Sequence, residues 1–394
     1  MALVIHYFMN ISRRAQNISP SATLAISARA KKMQEETTPS FGHPSKEGNR
    51  VINFTVGEPD FDTPDYIIEA AKRALDAGHT KYTACAGILP LRKAICEKLK
   101  RDNGLDYAPN QIVVSTGAKQ ALANAILAIV NPGDEVIIPV PYWVTYPELV
   151  KFAGGMPVFV EGISSIKKSI TSKTKAIIIN SPDNPTGAVY TETELRALAT
   201  SLRAPRSNPD PIYVISDEVY EKLIYRGKHF SIATCHDNTI VINGFSKSHA
   251  MTGWRIGYSA SSVEVATAID NIQSHTTSNV NTIMQHAAVE ALQGSGGEKF
   301  LKDMLAEFDK RRKYMVERIN KMPKLSCNTP DGAFYIMVKT NVNAEQLLEH
   351  ARIATVPGEA FGAPGYLRFC YTVSMDDIKE GMNRLEKFLN TSSV

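Results

Sequence analysis

Between residues 51 and 260 the chain alternates short β-branched apolar runs with longer segments of helical period, and this alternation restricts the fold more than any other feature. The runs are QIVVST (111–116), EVIIPV (135–140), MPVFV (156–160), KAIIIN (175–180), IYVISD (212–217), TIVING (239–244) and RIGYSA (255–260). Several are apolar at consecutive positions, so both faces of those strands must be covered. The pattern predicts an open, mostly parallel seven-stranded sheet in a three-layer α/β domain, with helices over 64–76, 119–130 and 192–202.

The rest of the chain reads differently. Residues 34–50 are polar and rich in Pro and Gly, which predicts a loop. Residues 263–321 have helical period, with Phe300, Met304, Phe308 and Met315 on one face as core. After Pro330-Asp331-Gly332, the runs AFYIMV (333–338) and YLRFCYT (366–372) predict strands between helices near 343–351 and 375–390. A smaller α/β domain is therefore expected at 301–394, beside a large domain at 51–300 and an N-terminal segment at 1–50.

With 394 residues the chain has room for such a division, and 43% hydrophobic content excludes a disordered polymer. The net charge of +4 is spread without basic blocks and gives nucleic-acid binding no support. Five scattered cysteines lack metal-type spacing and suit a reducing, cytoplasmic compartment. No run approaches the ~18 apolar residues of a spanning helix. The opening MALVIHYF is short, holds His6 and has no basic segment before it, so neither membrane span nor cleaved signal is expected.

In open α/β sheets ligands bind beyond the carboxyl ends of the strands. Gly117-Ala118-Lys119, Asn184, Asp217 and Ser246-Lys247 all follow or close predicted strands. The turn at 115–118 can aim backbone N–H groups at an anion, or can be a plain tight turn. Lys247 with Arg255 eight residues on places two cations close together and partly desolvated, which would lower the lysine's pKa and free its amine for a Schiff base. Arg255 and Ser246 would suit a phosphate. A solvated lysine and an unrelated arginine are the plain alternative. Asp217, ending an apolar strand, needs a cationic partner such as a protonated pyridine nitrogen, or else caps a helix or joins a salt bridge. Tyr220 and Asn184 can hydrogen-bond a phenolate oxygen and Trp143 can stack on a flat heterocycle; Tyr and Trp also serve as ordinary core.

The ordered set VGEPDFDTP (56–64), TKYTACAGI (80–88), STGAKQAL (115–122), PYWVTYPE (141–148), SPDNPTGAVY (181–190), SDEVYEKL (216–223), SKSHAMTGWRIGY (246–258), DGAFY (331–335) and VPGEAFG (356–362) resembles the class I aminotransferases of the fold type I pyridoxal 5'-phosphate enzymes, particularly the bacterial-type aspartate aminotransferases. The resemblance implies that Lys247 carries the cofactor and moves the substrate proton, and that Asp217 pairs with the pyridinium. It implies Asn184 and Tyr220 at the ring oxygen, Trp143 against the ring, and Gly117, Ala118, Lys119, Ser246 and Arg255 around the cofactor and its phosphate. Tyr82 would reach the neighbouring subunit's phosphate in a homodimer with composite sites. Arg368 would fork the substrate α-carboxylate with Gly57 and Asn184, and Lys119 with Thr23 would take a distal carboxylate.

Some positions depart from the wider family. Gly244 stands where animal-type enzymes have a phosphate-binding serine, and 160–175 is short. Asn184-Pro185 falls where the family often has a cis peptide. The activity implied is ping-pong transamination between L-aspartate and 2-oxoglutarate. A prephenate, aromatic or broad-range aminotransferase is the alternative, although Ser19, rather than a basic residue, precedes Pro-Ser-Ala-Thr. A β-lyase or a non-catalytic cofactor-binding regulator ranks below these.

Overall fold

A computed structural model describes residues 11–37, 50–203 and 211–391. The first strand, β1 (Ile52–Asn53), is only two residues long and is followed by helices Asp65–Asp76 and Leu89–Asn103. The seven apolar runs then form β2 (Ile112–Ser115), β3 (Glu135–Val140), β4 (Met156–Glu161), β5 (Thr174–Asn180), β6 (Tyr213–Asp217), β7 (Thr239–Gly244) and β8 (Gly257–Ala260). They make one sheet in the order β2-β8-β7-β6-β5-β3-β4. β8 runs antiparallel to both neighbours, and the remaining pairs are parallel.

Alternate residues of one strand feed different cores, as a doubly covered sheet requires. Val136 and Ile138 pack with Ile178, Ile215 and the helix Ala118–Ile129, while Ile137 packs with Ile177, Val214 and the helix Glu192–Leu202. That last helix starts at a capping box in which Thr191 and Glu194 satisfy each other's backbone N–H groups. The edge strand β4 departs from the expectation of full cover: Met156 and Phe159 stand about half exposed, with Phe159 stacked on Tyr142.

The C-terminal part holds a second, antiparallel sheet of β9 (Ser326–Cys327), β10 (Tyr335–Lys339), β12 (Val356–Pro357) and β13 (Tyr366–Cys370), in the order β12-β13-β10-β9. β11 (Ile353–Ala354) pairs instead with β1. Met304, Phe308 and Met315 of the long helix Gly297–Lys321 are buried under this sheet, and Ile52 and Phe54 join the same core. The helix Ala22–Thr37 takes in residues 34–37, where polar composition predicts a loop. Gln34 there accepts a hydrogen bond from Val51 N–H, tying the helix end to the chain before β1. Residues 38–49 of that predicted loop and the MALVIHYF segment lie outside the described residues. Among the described residues no helix is long and apolar enough to cross a membrane.

Candidate active site

The centre of the site is the carboxyl end of β5 and β6, where register sets Asn180 beside Asp217. Asn180 Nδ2 donates to the Asp217 carbonyl at 2.8 Å, and Asn180 Oδ1 accepts from Asn184 N–H at 2.8 Å. Asp217 is 4% exposed; its Oδ2 accepts the Tyr146 hydroxyl at 2.8 Å and its Oδ1 the Val219 N–H at 3.3 Å. Burial pushes its carboxyl up to about 6, against the pull of these two donors. Among the described residues no basic side chain lies within ion-pair distance of it.

Lys247 follows β7, opening onto the cavity on one side and walled by protein on the others. Its ammonium donates to the Gly57 carbonyl at 2.5 Å and lies 5.9 and 5.7 Å from the ring centres of Tyr220 and Phe334. Burial lowers its pKa to about 8. Arg255 and Arg368 push the same way more weakly, and Cys370 and Glu58 oppose them. Removal of water does most of the work, and the neighbouring cations add to it.

At the anion end, Gly117 caps the helix Ala118–Ile129 with φ +79°, and a Cβ there would run into the Arg255 guanidinium. Glycine is therefore required twice over, by conformation and by space. Arg255 itself adopts φ 54° and donates from Nη1 to the Thr252 carbonyl at 2.9 Å. Lys119 Nζ sits 4.9 Å from the Trp143 ring centre, with its pKa lowered by burial and then by Arg255. Trp143 in turn meets Tyr146 edge to face.

Opposite, Arg368 on β13 is 2% exposed. Its Nη1 donates to Asn184 Oδ1 at 2.9 Å and its Nη2 to the Thr55 carbonyl at 2.8 Å, while its buried Nε has no hydrogen-bond partner. The guanidinium packs over Tyr335 at 4.5 Å and Phe361 at 4.9 Å. The Tyr335 and Tyr220 hydroxyls share a hydrogen bond of 2.7 Å, and burial raises both phenols.

Of the residues singled out in the sequence, all but two line one cavity of about 480 Å³. Gly117 lies just behind it, against Arg255. Tyr82 does not reach it: this side chain is 89% exposed and borders a separate cavity with Asn279 and Asn281. Thr23, on the helix Ala22–Thr37, does reach it, followed by Ser27 and Lys31 at four-residue spacing. Sequence reasoning missed Tyr146, Asn180, Tyr335 and Thr55. Asn180 ends its apolar run and was open to the same strand-end rule; the contacts of the others are long-range. The cis peptides among the described residues are Val140-Pro141 and Ser181-Pro182, so Asn184-Pro185 is trans here.

A family described as aminotransferase class I and II matches residues 49–385. The chain belongs to the class I and II aminotransferases. It is 43% identical to the aspartate aminotransferase of Bacillus subtilis (strain 168), over 98% of this chain and 100% of that one. A probable aspartate/prephenate aminotransferase of Aquifex aeolicus is 44% identical over 96% of this chain and 98% of its own. Among solved structures, an aspartate aminotransferase from Thermus thermophilus with maleate superposes with a TM-score of 0.89 at 40% identity, covering 96% of this chain and 99% of that one. The seven-stranded sheet of this aminotransferase is accordingly that of fold type I.

Proposed function

We propose that this aminotransferase uses pyridoxal 5'-phosphate to transfer the amino group of L-aspartate to 2-oxoglutarate. The observation that carries the reading is one rim holding a desolvated amine, Lys247, and a buried carboxylate, Asp217, with no ion-pair partner among the described residues. The residues fit the cofactor. Asp217 matches a protonated ring nitrogen, and Trp143 offers a flat wall. Tyr220 and Asn184, on the cavity wall, would hold the ring oxygen. The helix start at Ala118 with Ser246 and Arg255 suits the phosphate, where Gly117 leaves the room a side chain would fill. The cofactor supplies an electron sink for the substrate's α-carbanion.

The chain's own residues do the rest. Lys247 Nζ, held at the Gly57 carbonyl and partly deprotonated near neutrality, is the base that takes and returns the α-proton. Arg368, planar and fixed by Asn184 and Thr55, orients the α-carboxylate through its remaining N–H groups, including the orphaned Nε. Lys119 and Thr23 meet the distal carboxylate. The names of the curated relatives support aspartate as donor.

The same reading divides the chain into an N-terminal segment (1–50), a cofactor domain (51–300) and a small domain (301–394). It takes two chains as a homodimer completed by Tyr82. Five cysteines free of disulfides suit a cytoplasmic setting. An aspartate/prephenate activity is the second reading, favoured by the Aquifex relative's name; against it, the Ser19 backbone N–H donates to Glu148 and adds no cation. A panel of amino donors with 2-oxoglutarate tests the proposal. Aspartate is expected to give the highest kcat/KM with oxaloacetate released; a higher value for an aromatic donor, or for glutamate with prephenate, would overturn it.

A further inference from the structure

Beside Asp217 the chain buries a second set of charges that lies outside the cavity lining. Glu218, 1% exposed, follows the last residue of β6. Its Oε1 accepts the hydroxyls of Ser216 at 2.8 Å and Ser231 at 2.6 Å, and its Oε2 faces His229 Nε2 at 3.0 Å. Glu221, also buried, accepts from Asn103 Nδ2 at 2.7 Å and pairs with the buried ammonium of Lys98, from the helix Leu89–Asn103. Its Oε2 stands 4.0 Å from His229 Nε2. The Tyr107 and Tyr258 phenols, the Lys222–Asp102 ion pair and His249 surround these carboxylates.

Two buried carboxylates against one ammonium leave an excess negative charge, which a buried cluster does not tolerate well. Protonated His229 removes it. Burial alone would strip that proton, but Glu218 and then Glu221 outweigh burial and Lys98, holding the imidazole above its ordinary range. Glu218 is also the charge that most opposes ionisation of Asp217. We propose that His229 is a positioning residue: by carrying a proton against Glu218, it lets Asp217, one residue away, stay an anion able to hold a protonated ring nitrogen. This rests on the cofactor reading given above. It assigns work to a part-buried histidine outside the cavity lining.

The test is the affinity of the cofactor-free protein for pyridoxal 5'-phosphate, measured by equilibrium dialysis between pH 5 and 8.5. In the parent, affinity should weaken on the acid side as Asp217 takes up a proton near about 6. In His229→Gln, which keeps an N–H donor but no charge, the acid limb should move about one pH higher, a loss of about fivefold at pH 6. The double variant His229→Gln/Glu218→Gln, lacking both charges, should return to within about twofold of the parent. An unmoved limb in His229→Gln would overturn the inference. So would a limb that stays displaced in the double variant, which would mark a packing effect. A parent that binds no cofactor contradicts the underlying reading instead. Should the variants not fold, NMR titration of the parent's His229 decides: retention of the proton above ~6.5 supports the inference, and loss at or below it overturns it.

Discussion

A lysine amine attacks only when deprotonated, and an ordinary lysine near neutrality is almost wholly ammonium. Burial of Lys247 between Tyr220 and Phe334 changes that, with a midpoint of about 8. Because the charged form is the one disfavoured, reactivity is low below this pH and gained as pH rises through it. Capture of a small aromatic aldehyde by Lys247, trapped with borohydride and located by mass spectrometry, should rise about tenfold from pH 7 to 9 and then level. A rate still climbing tenfold per pH step beyond 9 would mean an unshifted lysine. The candidate residues themselves were legible because chemistry at strand ends and a dense set of family motifs coincide. Tyr146 was not, since its hydroxyl meets Asp217 across 71 positions of sequence and nothing local marks it.

Among the elements, seven apolar runs became seven strands; cover on both faces accounts for the apolar runs of the inner strands, while the edge strand β4 keeps Met156 and Phe159 half exposed. Orientation was less visible: β8 is as buried as its neighbours, and nothing in RIGYSA marks it as antiparallel. The β1–β11 pairing joins Ile52 to Ile353, which two-residue strands cannot announce in sequence. Residues 34–37 extend a helix because Gln and Glu are good helix formers and Gln34 is anchored to Val51.

Two predictions belong to single elements. Gly117→Ala should weaken cofactor affinity at least about tenfold, from a strained φ and a side chain forced against Arg255, with far-UV circular dichroism unchanged. Unaltered affinity would remove the helix start from the phosphate site. Lys119→Ala, at the first turn of that helix, should lower kcat/KM for aspartate and glutamate by roughly 10–150-fold while sparing tyrosine and phenylalanine. Equal loss for both classes would reassign Lys119 to cofactor binding, in keeping with its place over Trp143 beside Arg255.

For the whole molecule, the telling residue is Tyr82, whose 89% exposure in one chain leaves a large side chain without a structural task there. A homodimer that lends it to the other subunit's phosphate accounts for that exposure. Tyr82→Phe chains retain Lys247, and Lys247→Ala chains retain Tyr82. Reassorting them one to one should therefore restore about a quarter of native sites, against little activity in either parent variant. No gain on mixing, with heterodimers verified by mass spectrometry, would make each site self-contained.

A single half-reaction decides whether Lys247 transaminates aspartate. Mixed with the cofactor-loaded protein in the absence of any oxo acid, L-aspartate should yield one oxaloacetate per site and then stop until 2-oxoglutarate is added. Lys247→Ala should yield none. Continued turnover releasing ammonia, or full yield from Lys247→Ala, would contradict transamination by this lysine.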